Sequence, residues 1–160
     1  MTQDIATSAE YAETAALPRA VATHADPADC GKLETLPLPA AATRKPVEEK
    51  SPAEWAYERL ILYIQNFESR LDSTQEVAMG FTGGQAGVLT IEGVGFFDPD
   101  LVTFFGRDED GLRTQLIQHV TQLNVILRAV PKQEPAEPPR RIGFRMMRQW
   151  AGGESGDASA

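Results

Sequence analysis

The chain has 160 residues and a mass of 17.5 kDa, which allows one ordinary domain with tails and excludes a multidomain enzyme. Its 15 lysines and arginines against 23 aspartates and glutamates give a net charge of −8, which disfavours a broad polyphosphate-binding surface. A single cysteine excludes an intramolecular disulfide framework and a thiolate-rich zinc site.

Residues 1–50 are rich in alanine and proline and have one aromatic residue, Tyr11. So little apolar surface does not offset a chain entropy of about 1–2 kcal/mol per residue, which predicts a disordered leader. His24, Asp26, Asp29 and Cys30 lie close together in this leader. Their spacing is not that of a metal site, so we expect scattered polar side chains there.

The first 20 residues bear on the compartment in which the protein is found. Acidic residues interrupt the first 20 positions, which argues against a secretory signal. No apolar run anywhere is long enough to span a bilayer. With one cysteine in addition, the prediction is a cytoplasmic protein without membrane contact.

A helix start is predicted at residues 51–54, where Ser-Pro-Ala-Glu has the spacing of a capping box. The following apolar residues recur every three or four positions, at Ala56, Leu60, Ile64, Phe67 and Leu71. This pattern predicts an amphipathic helix that ends near Asp72. Glu58 and Glu68 are expected on its solvated face.

After Glu76 the pattern is typical of strands. Residues 77–82, 88–92 and 101–105 are short and either alternate or are rich in β-branched and aromatic side chains. Gly93 and Gly95 predict a sharp bend or a bulge. Turns are predicted at residues 98–100 and 107–111.

Residues 112–130 fit two patterns, one helical and one alternating. The turn signal at Asp110-Gly111 and the content of Thr, Val and Ile favour two strands that are broken near His119, with one long helix as the alternative. A proline-rich spacer over 131–139 follows. Residues 140–145 are compatible with an edge strand, and 147–160 are predicted to form a disordered tail.

These elements predict an α+β domain over residues 51–146. An N-terminal amphipathic helix packs on a small, strongly bent antiparallel sheet or barrel, and both ends of the chain are disordered. The central part of this domain, residues 51–131, is marginal for a lone core. We therefore expect a homo-oligomer, because self-association buries strand edges and apolar surface.

The residues that support catalysis are sparse. His119 is the histidine of the predicted domain and Cys30 lies outside it, so no Cys–His pair is expected within one subunit. The aspartates of the two turns are expected in those turns for conformational reasons rather than as cation ligands. Glycines at 80–84 lack the Lys-Ser/Thr of a phosphate loop. We predict no catalytic residue, no metal, no cofactor and no enzyme activity.

Positive charge is concentrated in one segment, residues 132–148, where the local balance is +3. Its cations are Lys132, Arg140, Arg141, Arg145 and Arg148. Such a cluster contacts phosphates or an acidic partner in some proteins and solvates a chain end in others.

Two resemblances extend this interpretation. The segments 51–58, 78–84, 116–120 and 140–144 resemble a bacterial family catalogued as a domain of unknown function, over about residues 50–146. More distantly, the order of elements resembles the Sm-like fold of the bacterial host-factor RNA chaperone, in which a helix precedes a five-stranded bent barrel. Residues 91–94 with 97–98 are similar to its first motif, and 118–123 to its second.

The Sm-like resemblance implies an oligomeric ring in which His119 contacts RNA and Phe97 stacks on bases. The sequence departs from that family at Gln118, where the family has a lysine, at Pro99, and in a Gly93-to-Asp98 interval one residue shorter than usual. A structural, hydrogen-bonded His119 and a core-packed Phe97 are the alternatives.

Two functions follow as hypotheses. The first is an oligomeric protein-interaction module with an unidentified protein partner. The second is an Sm-like RNA-binding ring. Candidate contact residues for either are Phe97, His119, Arg140, Arg141 and Arg145.

Overall fold

Five antiparallel strands and three α-helices form the folded unit in the computed structural model, which describes residues 22–26, 39–81 and 87–152. Residues 22–26 belong to a separate unit, and residues 39–81 and 87–152 belong to the folded unit. Its elements in chain order are α1 (Ala40–Thr43), a 3-10 turn (Val47–Glu49), α2 (Pro52–Glu68), β1 (Gln75–Phe81), β2 (Val88–Phe97), β3 (Leu101–Arg107), β4 (Arg113–His119), a second 3-10 turn (Val120–Gln122), β5 (Val125–Pro131) and α3 (Ile142–Gly152).

The strand order across the sheet is β4-β3-β2-β1-β5, and every pair is antiparallel. The predicted α+β class and antiparallel sheet are confirmed. The sheet is open rather than a closed barrel, because β4 and β5 lie at opposite edges and no described strand pairs with their outer sides.

Residues 112–130 form two strands, as the turn signal at Asp110-Gly111 predicted. Gly111 has a positive φ of 79°, a conformation that glycine adopts without steric cost. Asp108 accepts hydrogen bonds from the N–H groups of Asp110 and Leu112 and so closes the turn between β3 and β4. The break near His119 is the second 3-10 turn.

The predicted bulge lies in β2, where the register with β3 shifts between Ile91 and Gly93. Before the shift, Leu89 and Ile91 point into the core, and after it Val94 and Phe96 do. The extra residue therefore changes which positions of β2 face α2. The glycine-rich loop predicted after residue 82 lies outside the described residues.

Helix α2 lies across one face of the sheet and covers the core. Ser51 caps it by accepting a hydrogen bond from the N–H of Glu54 at 3.1 Å, as predicted. The largest core side chains around it include Ile61, Ile64, Met79, Leu89 and Phe104, each at most 1% exposed. This burial of apolar surface is the main stabilising contribution to the fold.

Two glutamates predicted on the solvated face of α2 are buried instead. Glu58 accepts a hydrogen bond from the buried Lys50 ammonium group at 2.7 Å. Glu68, 1% exposed, contacts the start of α3. Each carboxylate has a polar partner outside α2, just before the helix for Glu58 and far along the chain for Glu68, which the periodicity of α2 alone does not reveal.

The folded unit extends further in both directions than residues 51–146. Ala41, Ala42 and Lys50 are buried, so the described end of the predicted leader, residues 39–50, packs on the domain. The prediction of disorder up to residue 50 is wrong there. At the other end, α3 continues to Gly152, so residues 147–152 are helical rather than part of a disordered tail.

The prediction of an edge strand over 140–145 is also wrong, because Ile142 begins a helix. Ile142, Met146 and Trp150 recur four residues apart and pack against the core cluster on one helix face. The carboxylate of Glu68 accepts hydrogen bonds from backbone N–H groups at the first turn, including that of Phe144 at 3.2 Å. Glu68 thus supplies the cap that residues 140–141 lack.

Burial raises the pKa of the Glu68 carboxyl, against the lowering effect of the backbone N–H groups of α3 and of Arg141. The folded chain therefore holds this proton to a higher pH than the unfolded chain does. As a consequence, Glu68 lowers the free energy of unfolding as the pH rises through the window above its ordinary pKa of 4.5.

The first prediction concerns this pH dependence and the variant Glu68→Gln, which cannot titrate. We expect the free energy of unfolding of the native chain, relative to the variant, to fall as the pH rises from about 4 to about 7. Urea denaturation at a series of pH values measures it. Glu109→Gln, which removes an exposed negative charge, is the control, and parallel curves for native chain and Glu68→Gln would contradict the assignment.

The second prediction concerns Gly143, where α3 crosses α2. A Cβ there would lie 2.6 Å from Oε1 of Glu68 and 2.8 Å from the backbone nitrogen of Gln65. We expect Gly143→Ala to lower the free energy of unfolding by about 1–3 kcal/mol, because the backbone of α2 cannot move aside.

Gly152→Ala is the matched control, since no heavy atom of the described residues beyond its own helical turn lies within 4 Å of the added Cβ. It should be neutral or stabilising by up to about 1 kcal/mol, because alanine has the higher helix propensity. Thermal denaturation followed by circular dichroism compares the two variants. Equal stability of both would show that α3 does not dock on α2 through Gly143.

Candidate interaction surface

Three side chains on neighbouring strands form a row at one end of the sheet. Phe97 of β2 lies opposite Leu101 of β3, and Leu101 lies opposite His119 of β4. Directly opposed residues of antiparallel strands share a face. Their neighbours Phe96 and Val102 belong to the core, so this row faces away from α2. We call Phe97, Leu101 and His119 the outer row.

The structure therefore brings two sequence-predicted contact residues together. Phe97 is 72% exposed, which contradicts the alternative that it packs in the core. The bulge in β2 explains this exposure, because it places Phe96 rather than Phe97 against the core. A large exposed aromatic side chain at a strand end is a usual component of binding surfaces.

His119 is hydrogen-bonded through both ring nitrogens. Its Nδ1 accepts a hydrogen bond from the N–H of Thr121 at 3.2 Å and lies 2.8 Å from Oγ1 of the same residue. Since Nδ1 accepts, Nε2 carries the proton and donates to Oδ2 of Asp100 at 2.9 Å. The imidazole thus caps the second 3-10 turn and ties it to the turn between β2 and β3.

That β2–β3 turn, residues 98–100, connects several elements. Asp98 accepts a hydrogen bond from the hydroxyl of Ser51, and the carbonyl of Pro99 accepts one from the N–H of Ala53 at 3.0 Å. The carbonyl of Asp100 accepts one from the N–H of Val120 at 2.9 Å. The turn beside the outer row is therefore tied to the start of α2. Asp100, which sequence reasoning placed in a turn, is the partner that orients His119.

The apolar surface continues along the same face of β3 and β4. Ile117 lies opposite Thr103 and is 58% exposed, and Phe105 is 42% exposed. The ring of Phe105 covers Gly93 and Gly95, where an added Cβ would lie 3.5 Å from its carbon atoms. A Cβ at Gly95 would also lie 2.8 Å from Oγ1 of Thr103, so glycine at this position permits the close approach of that side chain.

The predicted arginines do not join the outer row. The guanidinium of Arg141 donates to the backbone carbonyls of Gln75 and Asp72 at 2.7 and 2.8 Å, so it fixes the connection between α2 and β1. Lys132 donates to the carbonyl of Glu137 within the spacer. Arg140 and Arg145 line a separate groove, which contains neither Phe97 nor His119.

Thr121, His119 and Asp100 form a hydroxyl–imidazole–carboxylate line, but the lone pair of Nδ1 is shared with the backbone N–H of Thr121. In the described ranges no group of three or more His, Cys, Asp or Glu side chains is placed to hold a metal ion. Asp29 and Cys30 lie outside those ranges. None of the described helices is both long and apolar enough to cross a membrane.

Comparison with known proteins gives a single family. A family model described as a family of unknown function (DUF6173) matches residues 47–145, more than half of the chain. The match runs from the first 3-10 turn to the first turn of α3, so it includes the whole sheet. No curated protein and no solved structure matches the chain. The chain therefore belongs to the family of unknown function DUF6173.

Proposed function

We propose that this chain is a non-enzymatic, cytoplasmic protein-interaction module that acts as a homo-oligomer. Its copies join through the edge strands β4 and β5. The observation that supports the proposal is that both edge strands have one unpaired side. Each is seven residues long and is paired, within the described chain, on one side alone.

The edges carry few of the features with which proteins usually prevent strand pairing, since their charged side chains are Arg113 at the start of β4 and Arg128 in β5. β4 contains no lysine, proline or carboxylate, and β5 has its proline at its last position. Each strand also carries an exposed isoleucine, Ile117 on β4 and Ile126 on β5. Unpaired N–H and C=O groups beside exposed apolar side chains favour the addition of another strand.

In a contact between β4 of one copy and β5 of the next, both edge strands gain a pairing partner. A contact between two copies of β4 would leave β5 unpaired. The heterologous contact closes into a ring when the rotation per copy permits it, and a closed ring leaves no edge exposed. The outer row and the apolar surface beside it then repeat around the assembly as a multivalent surface for a protein partner.

The third prediction tests this assembly by light scattering coupled to size exclusion. The native chain should give a mass that is a multiple of 17.5 kDa. Ile117→Lys and Ile126→Lys should each reduce it to the mass of one chain, because an edge lysine opposes strand pairing.

Leu112→Lys provides the control, since Leu112 is 63% exposed but lies before β4. It should leave the assembly intact. A native chain that scatters as a 17.5 kDa particle at high concentration would contradict the proposal.

The second candidate function is an Sm-like RNA-binding ring. It is supported by the order of elements, a helix before five strands, and by the placement of an exposed aromatic ring and an imidazole in one row. The carboxylates of Asp98 and Asp100 beside that row oppose phosphate binding. For this reason we place RNA binding second.

The fourth prediction decides between the two functions with labelled oligo-U and oligo-A at low salt. The interaction-module proposal predicts no retention of either. An Sm-like ring predicts binding that weakens with added salt and that is lost in Phe97→Ala and His119→Ala but retained in Leu112→Ala. Binding that survives both of the first two substitutions would place the RNA site elsewhere on the protein.

A further inference from the structure

A groove of about 580 Å³ lies beside helix α3 and next to the bulge of β2. Its rim carries the guanidinium groups of Arg140, Arg145 and Arg148, and Ile142 and Met146 contribute apolar side chains. Glu92 is the carboxylate of the lining. We call this the arginine groove.

The positive charge in the arginine groove is not neutralised by the described residues. Arg145 and Arg148 are exposed and form no ion pair or side-chain hydrogen bond with them. Glu92 accepts a hydrogen bond from Arg107 at 3.1 Å and is therefore already paired. Two cations are thus available to an anionic ligand.

Arg140 is held in place by a carboxylate. Glu76 accepts a hydrogen bond from its backbone N–H at 2.9 Å and lies 3.8 Å from its Nε. Glu134 and Glu137 line an adjoining cavity together with Arg140 and Arg145, but their carboxylates form no ion pair with either arginine. The arginine groove is therefore a positively charged surface, although the net charge of the whole chain is −8.

The apolar part of the lining restricts the ligand class. Ile142 and Met146 pack in the core and are each 8% exposed, so they offer a ligand a narrow apolar strip at the groove, where the flexible side chain of Met146 adapts to different apolar groups. The lining includes no aromatic side chain on which a nucleic-acid base could stack. An occupant with carboxylates and an apolar side chain fits both parts of the lining, whereas a phosphate backbone fits the arginines alone.

We infer that the arginine groove binds an acidic peptide segment of a partner protein. An apolar side chain of the segment packs on Ile142 and Met146, and flanking carboxylates pair with Arg145 and Arg148. This inference deepens the proposed function, because it rests on the chain being a protein-interaction module and names the chemistry of its partner. The site lies on α3, apart from the strand edges that join the copies.

The experiment is fluorescence anisotropy of the full chain with a labelled peptide in which two leucines lie among aspartates and glutamates. We expect saturable binding that weakens with salt. The double variant Arg145→Glu with Arg148→Glu should lower the affinity roughly tenfold or more. Arg70→Glu, at an exposed position that follows α2, lies outside the groove and the strand edges and should leave it unchanged.

Three results would overturn the inference. They are an absence of peptide binding at low salt, equal binding of a matched peptide with asparagine and glutamine in place of the acids, and equal binding by the Arg145/Arg148 double variant. Displacement of the peptide by oligo-U at a lower concentration than by unlabelled peptide would also overturn it, in favour of a nucleic-acid ligand.

Light scattering on the same samples separates this inference from the proposed assembly. Loss of peptide binding from an intact oligomer rejects the arginine groove and leaves the assembly standing. Peptide binding by a chain that scatters as a monomer rejects the assembly and supports the groove.

Discussion

The contact between the Glu68 carboxylate and the first turn of α3 is the constraint on which the arrangement of this protein depends. It joins the end of α2 to a helix that begins more than seventy residues later, and it satisfies N–H groups that would otherwise be buried without partners. Gly143 permits the close approach that this contact needs. Without it, the first turn of α3 would lack its cap, and the position of α3 would depend on the packing of Ile142, Met146 and Trp150 against the core alone.

A second junction, the turn at residues 98–100, organises the opposite end of the sheet. Its side chains and carbonyl groups contact the start of α2, the imidazole of His119 and the second 3-10 turn. The two junctions explain how a small sheet supports two separate surfaces. One is apolar and lies on the strands, and the other is cationic and lies on α3, so a partner can contact one without displacing the other.

The sequence was informative where local chemistry decides the structure. The cap at Ser51, the turn before β4 and the bulge near Gly93 follow from residue types and short spacings, and each was predicted. The helix over residues 142–152 was not predicted, because the cap of its first turn is a carboxylate far away in the sequence. In the candidate surface, Phe97 and His119 were identified from the sequence, but Asp100 was not. The sequence does not distinguish an aspartate that hydrogen-bonds a histidine from one that only stabilises a turn.

The bulge in β2 has a consequence for the evolution of this chain. Leu89 and Ile91 occupy odd-numbered positions of the core face, whereas Val94 and Phe96 occupy even-numbered ones, so a single inserted residue reverses the parity of the strand. Deletion of one residue at this point would remove the bulge and leave Leu89, Ile91, Val94 and Phe96 on the core face by regular alternation. The bulge is therefore the place in this strand where a change of one residue in length preserves both faces, whereas the same change before or after it would exchange the core and outer faces of part of the strand.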